Sequence, residues 1–283
     1  MSRRPAPADR RRKVQSAEFG LAVLKGLADI GRAAALGALA QALDASPAKI
    51  HRYLASLKQT GFVAQDAAGA RYTLGPQALA IGLAAMRQIN VLDHAPAELA
   101  AIADAHNVVA FVAVLGNRGP AIMRWEESMQ PVTVNVRVGS VLPILWSATG
   151  RAFAASTRSA LIDELIRAEL AAATPAQRKL VASRKAADAM LADVRAAGCA
   201  AIEDVLLAGV SAVAAPVFDF AGRVAGVITA LGASNAIDAS PGAPLAREVM
   251  ARAAKIGRAL GHDAASSAAP ARISAKFEAL SGA

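Results

Sequence analysis

Residues 35–74 carry the pattern that most restricts the fold of this chain: a short helix, a Ser-Pro turn, a basic helix and a hairpin. The leucines of the first helix recur at three- and four-residue spacing, so they form one apolar stripe. Ser46 can cap a second helix, and Pro47 suits its first position because that backbone nitrogen needs no partner. This order of elements predicts a winged helix-turn-helix, a unit that commonly binds DNA.

The predicted second helix, residues 47–60, separates its apolar and polar side chains. Ile50, Leu54 and Leu57 share one face by their spacing, which leaves basic and hydroxyl side chains on the outward side. Gly61 suits the left-handed end of the helix, and two short strands then flank a polar loop, the wing. The residues expected to contact DNA are Ser46, Lys49, His51, Arg52, Ser56, Lys58 and Arg71.

The net charge of +9 is unevenly distributed along the chain. Residues 1–90 hold 13 Lys or Arg against 5 Asp or Glu, whereas residues 91–283 hold 18 and 17. This split favours a DNA-binding first domain over an ordinary helical hairpin with a charged face. Residues 1–13 carry six basic side chains and two prolines, which predicts a disordered arm that either enters a groove or only solubilises the chain.

The composition indicates a globular protein, with 55% apolar but only 4% aromatic residues. No uninterrupted apolar run reaches the roughly 18 to 20 residues of a membrane span, and the N-terminus lacks the apolar middle of a signal peptide. We therefore expect a cytoplasmic protein without a membrane segment. The single cysteine, Cys199, excludes an internal disulfide and is expected to be buried.

The sequence after the wing predicts a linking helix and then a second domain. The winged unit is expected over residues 14–75 and the linking helix over 76–91. This helix is apolar on more than one side, which indicates either a dimer or a helix buried within its own domain. The second domain is expected over 92–262, followed by a disordered tail at 263–283.

Within the second domain, helices alternate with strands that are mostly antiparallel, which predicts an α+β fold. One long helix is expected over residues 174–197, and residues 219–223 are expected to form the tight turn of a hairpin. The main strands are expected at 108–115, 121–125, 132–138, 211–218 and 224–231.

A candidate binding site lies where Ser147 can cap a helix that runs through Phe153, next to an apolar loop. The start of a helix offers free N–H groups and the positive end of the helix dipole, which suits a small carboxylate. For Trp146 the alternative to ligand stacking is core packing. The walls of this site are expected to be Val132, Val134, Leu142 and Trp146.

The motifs of common enzyme classes are absent from the sequence. It has no Gly-x-Ser-x-Gly elbow, no His-x-x-x-His or cysteine pair, and no glycine-rich nucleotide loop. We therefore expect no enzyme, no metal site and no cofactor, and a small-molecule hydrolase is the less favoured alternative. A ligand-binding or dimerisation module without specific DNA readout is the other alternative, although it does not explain the charge split.

The chain resembles the IclR-type bacterial transcriptional regulators from about Val14 to Leu260. The segments that carry the resemblance are SAEFGLAVLKGLADI, LGALAQAL, KIHRYLASLKQTGFV, YTLG, LPILWSATGRAF and GVSAVAAPVFDFAGRVAGVI. The resemblance implies a winged helix-turn-helix, a linking helix and a C-terminal GAF-like effector-binding domain, assembled as a homodimer or tetramer. It further implies binding to double-stranded promoter DNA, modulated by a small, often aromatic or carboxylate, metabolite.

The resemblance also implies further effector contacts and shows where this chain departs from the family. Leu145 and Trp146 stand where a histidine-alanine pair is usual, and Ala212 stands where some members have cysteine, which predicts a more apolar pocket. Ala48 and Lys49 replace a usual Ser-Thr pair on the second helix. The implied effector contacts are Ser147, Ala148, Thr149, Glu203, Asp204, Ser211 and Thr229; for the two acidic residues the alternative is a solvated strand end.

Overall fold

The computed structural model describes residues 14–88, 90–127 and 136–263, with the side chains of 85–88 left aside. The chain divides between residues 89 and 90 into two compact units, which are described separately. The predicted basic arm, the predicted disordered tail beyond Asp263, and Val132 and Val134 lie outside the described residues. Within the described ranges, no helix is both long and apolar enough to cross a membrane.

The first unit contains the predicted helices and wing, together with one additional short strand. Its three strands form an antiparallel sheet in the order β1-β3-β2, and the first of them was not predicted. The elements are α1 (Gln15–Ile30), β1 (Ala34–Ala35), α2 (Leu36–Ala42), α3 (Pro47–Gln59), β2 (Val63–Gln65), β3 (Arg71–Leu74) and α4 (Pro76–Gln88).

The ends of α3 are fixed by the residues that the sequence indicates. The Ser46 side chain accepts a hydrogen bond from the Lys49 backbone N–H at 3.4 Å, and Pro47 occupies the first turn. Gly61 follows the helix with φ of 75°, a conformation that favours glycine. Ile50 and Leu54 are fully buried against α1 and α2, so they orient the opposite face of α3 toward solvent.

The second unit is built on a five-stranded antiparallel sheet in the order β5-β4-β8-β7-β6, which confirms the predicted α+β fold. The helices α5 and α10 pack together against the sheet, and α6 packs against it with α9. The elements are α5 (Val91–His106), β4 (Val109–Gly116), β5 (Gly119–Glu126), α6 (Ala148–Ser156), α7 (Ala160–Ala172), α8 (Pro175–Leu180), α9 (Arg184–Ala197), β6 (Ala200–Glu203), β7 (Val210–Phe218), β8 (Val224–Ala233) and α10 (Pro244–Ala259).

Two predicted helices have different bounds in the structure. The expected linking helix ends at Gln88, because Asn90 caps a new helix by accepting a hydrogen bond from the Leu92 N–H at 3.0 Å. The single helix expected over 174–197 is wrong, since the chain forms two helices there. The first of these helices ends at Leu180. Val181 is then buried, and Ser183 caps the second helix.

The predicted strand at 132–138 is wrong for its described part, residues 136–138. Arg137 and Ser140 close a tight turn, with the Ser140 N–H donating to the Arg137 carbonyl at 2.9 Å. Gly139 has φ of 89° and donates to the Ile122 carbonyl at 2.8 Å, which returns the chain to the edge of β5. A tertiary contact therefore overrides the alternating valine pattern.

The single cysteine is buried, as predicted, and burial raises the pKa of its thiol. Glu98 joins α5 to α10 through ion pairs of 2.9 Å with Arg252 and 2.6 Å with Lys255. Burial raises the pKa of Glu98, but the hydrogen bonds from these two cations outweigh it and hold the pKa below its usual value. The carboxylate is therefore kept charged where the two helices meet.

Candidate DNA-binding surface and effector pocket

Arg52 occupies the centre of the outward face of α3. It lies two positions from both Ile50 and Leu54, so it points roughly 160° away from each of them around the helix. Its side chain is exposed, and among the described residues it makes no ion pair. Its carbonyl accepts a hydrogen bond from the Ser56 hydroxyl at 3.3 Å, as a serine four residues further along a helix often donates.

The two lysines of α3 both contact other parts of the first unit. The Lys49 ammonium lies 3.8 Å from the centre of the Phe19 ring on α1, and Phe19 in turn packs against Tyr53 at 4.8 Å between centroids. Lys58 donates to the Gln65 side chain at 2.8 Å, and Gln65 donates to the Gly69 carbonyl at 2.6 Å. Lys58 therefore connects α3 to the wing.

The wing turn is held by Asp66. Its carboxylate accepts hydrogen bonds from the backbone N–H groups of Ala70 at 2.9 Å and Arg71 at 3.2 Å. Arg71 is exposed and begins β3, so it lies at the base of the turn and not at its tip. His51 is also exposed, whereas Ser46 uses its oxygen to cap α3.

The basic excess of the first unit lies mainly in the N-terminal arm. Residues 14–88 hold seven Lys or Arg against four Asp or Glu, and the first 13 residues hold six against one. Of the seven basic residues in 14–88, four lie on α3 or at the wing: Lys49, Arg52, Lys58 and Arg71.

The second unit contains an apolar pocket at the start of α6, with about 400 Å³ of empty space, part of it open to solvent. The enclosed cavity itself is only about 30 Å³, far below the roughly 300–1,000 Å³ of small-molecule sites, so a ligand enters only if the walls move apart. Strands of the sheet, α6 and the loop between β6 and β7 surround it. The lining residues are Phe111, Val136, Leu142, Ser147, Ala148, Thr149, Ile202, Leu206, Leu207, Val210, Ala212, Thr229 and Leu231.

The polar side chains of the pocket already have partners. The hydroxyls of Thr149 and Thr229 share a buried hydrogen bond of 2.8 Å. The Ser147 hydroxyl accepts from the Gly150 N–H at 2.9 Å and donates to the Pro143 carbonyl at 2.6 Å. No charged side chain is among the described lining residues.

Backbone N–H groups at the start of α6 are the remaining donors next to the pocket, although almost none of the pocket's exposed surface is polar. Ser147 is the N-cap, and its side chain occupies the N–H of Gly150 while its carbonyl accepts from the N–H of Arg151. Within the described residues, the N–H groups of Ala148 and Thr149 donate no hydrogen bond, as is usual for the first turn of a helix.

The structure brings together only part of the predicted effector site. Leu142, Ser147, Ala148, Thr149 and Thr229 line the apolar pocket. The Trp146 side chain is 4% exposed and packs in the core, and it is not among the lining residues.

The acidic and serine positions lie elsewhere. Glu203 and Ser211 border a separate depression together with Asp238 and Ser240. The Asp204 carboxylate accepts hydrogen bonds from the Gly209 N–H at 2.7 Å and from the Ser234 hydroxyl at 2.9 Å. These bonds stabilise the loop between β6 and β7. The sequence interpretation missed Val136, just before the turn that ends at Ser140, and the lining residues that the β6–β7 loop and the strands supply: Phe111, Ile202, Leu206, Leu207, Val210 and Leu231.

Comparison with known proteins identifies the family. Residues 83–258 match the C-terminal domain of the bacterial transcriptional regulator IclR, and residues 16–67 match the IclR helix-turn-helix domain. The glycerol operon regulatory protein of Streptomyces griseus is 28% identical over 256 residues, covering 88% of this chain and 98% of that protein.

Solved structures agree with this match. The crystal structure of Pseudomonas aeruginosa HmgR is 41% identical, with a TM-score of 0.80, and covers 89% of this chain and 100% of that one. The repressor BlcR of Agrobacterium tumefaciens shares the fold at 20% identity, with a TM-score of 0.75 over 89% of this chain and 99% of its own. The chain therefore belongs to the IclR family of bacterial transcriptional regulators, which bind promoter DNA through a helix-turn-helix domain and respond to small-molecule effectors through a C-terminal domain.

Proposed function

We propose that this regulator binds its promoter as a dimer, with Arg52 of α3 reading bases in the major groove, and that a small organic carboxylate in the apolar pocket alters this binding. The observation that carries the proposal is Arg52 at the centre of α3, which is exposed, makes no ion pair within the described part of the chain, and lies opposite the two residues that bury the helix. Arginine donates two parallel hydrogen bonds to guanine, which makes it the commonest base-reading residue.

The other side chains of this surface take supporting roles in the proposal. Lys49 and Lys58 are held against Phe19 and Gln65, so they contribute charge near the phosphates and little base recognition. Arg71 at the base of the wing contacts a phosphate next to the groove. Binding of the upstream DNA of the regulator's own gene, measured by fluorescence anisotropy, tests the proposal; an affinity no higher than for unrelated DNA would contradict it.

The helix α4 suggests how two copies associate. Its leucine and isoleucine side chains are unusually exposed: Leu79 by 64%, Ile81 by 56% and Leu83 by 45%. Leu79 and Leu83 are four residues apart and form one stripe, while Ile81 points to another side. A helix with such exposed apolar side chains is stabilised when a second copy covers it, and dimers bind two half-sites with higher affinity.

Replacing both Leu79 and Leu83 with glutamate is expected to weaken dimerisation at least about 100-fold, because burying one leucine contributes about 1.5–3 kcal/mol. Sedimentation velocity over a range of protein concentrations measures this. Leu180→Glu is the matched control, since Leu180 on α8 is 58% exposed and lies outside the proposed interface. A double variant that sediments like the unchanged dimer would place the interface elsewhere.

The pocket favours a ligand that is mostly apolar and carries a single negative charge. Its described walls offer aliphatic and aromatic carbon but no cationic side chain. The N–H groups of Ala148 and Thr149, which have no acceptor among the described residues, lie at the positive end of α6 and suit one carboxylate once the walls move apart. A ligand with several charges would leave some of them without a partner in this environment.

We expect small aromatic or aliphatic carboxylates to raise the melting temperature of the protein, and their primary amides to do so less, because an amide lacks the charge that the helix start favours. Ala212→Leu fills the pocket and should abolish the shift, whereas Ala192→Leu on the exposed side of α9 should preserve it. A ligand-induced shift that persists in Ala212→Leu would locate the effector site elsewhere, and equal shifts from acids and amides would contradict the carboxylate.

A further inference from the structure

We propose that Glu169, a residue outside the pocket, positions the pocket wall by holding the turn Pro143–Trp146, which leads into α6. The turn is defined by these four residues, and it joins the pocket residues Leu142 and Ser147. The consequence for effector affinity depends on the proposed function, but the positioning itself is a property of the folded chain.

The contact between Glu169 and the turn is bidentate. Glu169 lies near the end of α7, 24 to 25 residues further along the chain. One carboxylate oxygen accepts from the Ile144 N–H at 2.6 Å, and the other accepts from the Leu145 N–H at 2.9 Å. Two short hydrogen bonds to an ionised group fix both the distance and the orientation of the turn.

Arg151 contacts the same turn through a backbone carbonyl. Its Nε donates to the Leu145 carbonyl at 2.7 Å, so the N–H and C=O of Leu145 bind side chains of opposite charge. Among the described residues, neither ion has an oppositely charged side chain within ion-pair distance. The backbone of the turn therefore hydrogen-bonds both the half-buried carboxylate of Glu169 and the buried guanidinium of Arg151.

Burial shifts the pKa values of both Glu169 and Arg151, as expected for charged groups that are partly removed from water. Burial raises the pKa of Glu169, and the two backbone N–H donors oppose that rise. Burial also lowers the pKa of Arg151. Each charge is thus stabilised largely by the backbone of the turn, so removing the carboxylate leaves two buried N–H groups without an acceptor.

The position of the turn determines the position of the α6 start. The Ser147 hydroxyl donates to the Pro143 carbonyl, and Gly150 lies so close to the turn that an added Cβ would be 2.1 Å from the same carbonyl oxygen. The turn and the first turn of α6 consequently move together. A displaced turn would move Leu142, Ser147 and the free N–H groups of the pocket.

The test measures access to the pocket without any effector or DNA. In a Cys199→Ser chain, Ala212→Cys places one thiol on the pocket wall, and its labelling by monobromobimane reports how often the pocket opens. Adding Glu169→Gln keeps the side-chain length but leaves one acceptor oxygen for two N–H donors. We expect labelling and hydrogen exchange of the Ile144 and Leu145 amides to accelerate about 10-fold or more.

Ile166→Val is the matched control, because Ile166 is buried on the same helix and the change lowers stability while leaving the Glu169 carboxylate to accept from the turn. Acceleration in Glu169→Gln beyond that of Ile166→Val supports a positioning role. Equal labelling rates, or unchanged exchange at Ile144 and Leu145, would overturn it. If Glu169→Gln does not fold, Glu169→Asp, which shortens the reach by one methylene, is measured in the same way. Failure of the proposed effector chemistry would leave both readouts unaffected.

Discussion

Arg52→Ala is expected to lower the preference of the dimer for its promoter site by about 30-fold to 25 000-fold, because each bidentate arginine contact contributes about 1–3 kcal/mol of discrimination and a dimer carries two. Arg52 is exposed at the centre of α3, and it makes no ion pair with any described side chain. Affinities for the promoter fragment and for unrelated DNA, measured by fluorescence anisotropy at one fixed salt concentration, separate base reading from general attraction.

Arg71→Ala is the control for this prediction, since both changes remove one positive charge from each copy. A phosphate contact at Arg71 predicts a salt dependence that is less steep by about 0.9 per lost contact, with little change in the preference for the promoter. Arg52→Ala should instead remove that preference. If Arg52→Ala weakens binding to both DNAs equally, Arg52 contacts phosphate and α3 reads bases through other residues.

The sequence predicted the first unit well because its signals are local. The spacing of Ile50 and Leu54, the Ser46 cap and Gly61 each act within one helix or one turn. The contacts of Lys49 with Phe19 and of Lys58 with Gln65 join different elements, and helix spacing carries no information about them. The sequence therefore put both lysines among the residues predicted to contact DNA, without showing that their side chains contact Phe19 and Gln65.

Apart from Thr229, which the family resemblance implied, the apolar pocket was predicted only where one segment supplies it. Leu142, Ser147 and Thr149 follow one another along the chain, and the cap at Ser147 marks the helix that they begin. Phe111 enters from β4 because that strand pairs with β8, a pairing between distant segments that alternation within one strand does not specify. The same limit explains why Arg137 and Val138, which belong to the turn ending at Ser140, were predicted as strand.

Gly150→Ala is expected to destabilise the second unit by about 3 kcal/mol or more, although alanine normally stabilises a helix relative to glycine by about 1 kcal/mol. An added Cβ would lie 2.1 Å from the Pro143 carbonyl oxygen and 2.5 Å from the Cα of Ile144. Both are backbone atoms of a turn that Glu169 holds, so the turn yields only by breaking those hydrogen bonds. Urea unfolding followed by circular dichroism measures the change.

Gly37→Ala separates the clash from the general effect of the substitution. Gly37 lies on the exposed side of α2, and nothing would be within 4 Å of its added Cβ, so this change should be neutral or stabilising by up to about 1 kcal/mol. Opposite signs at the two glycines would show that α6 begins in direct contact with a rigid turn. If Gly150→Ala unfolds at the same urea concentration as the unchanged chain, the turn moves freely, and neither Gly150 nor Glu169 fixes the pocket wall.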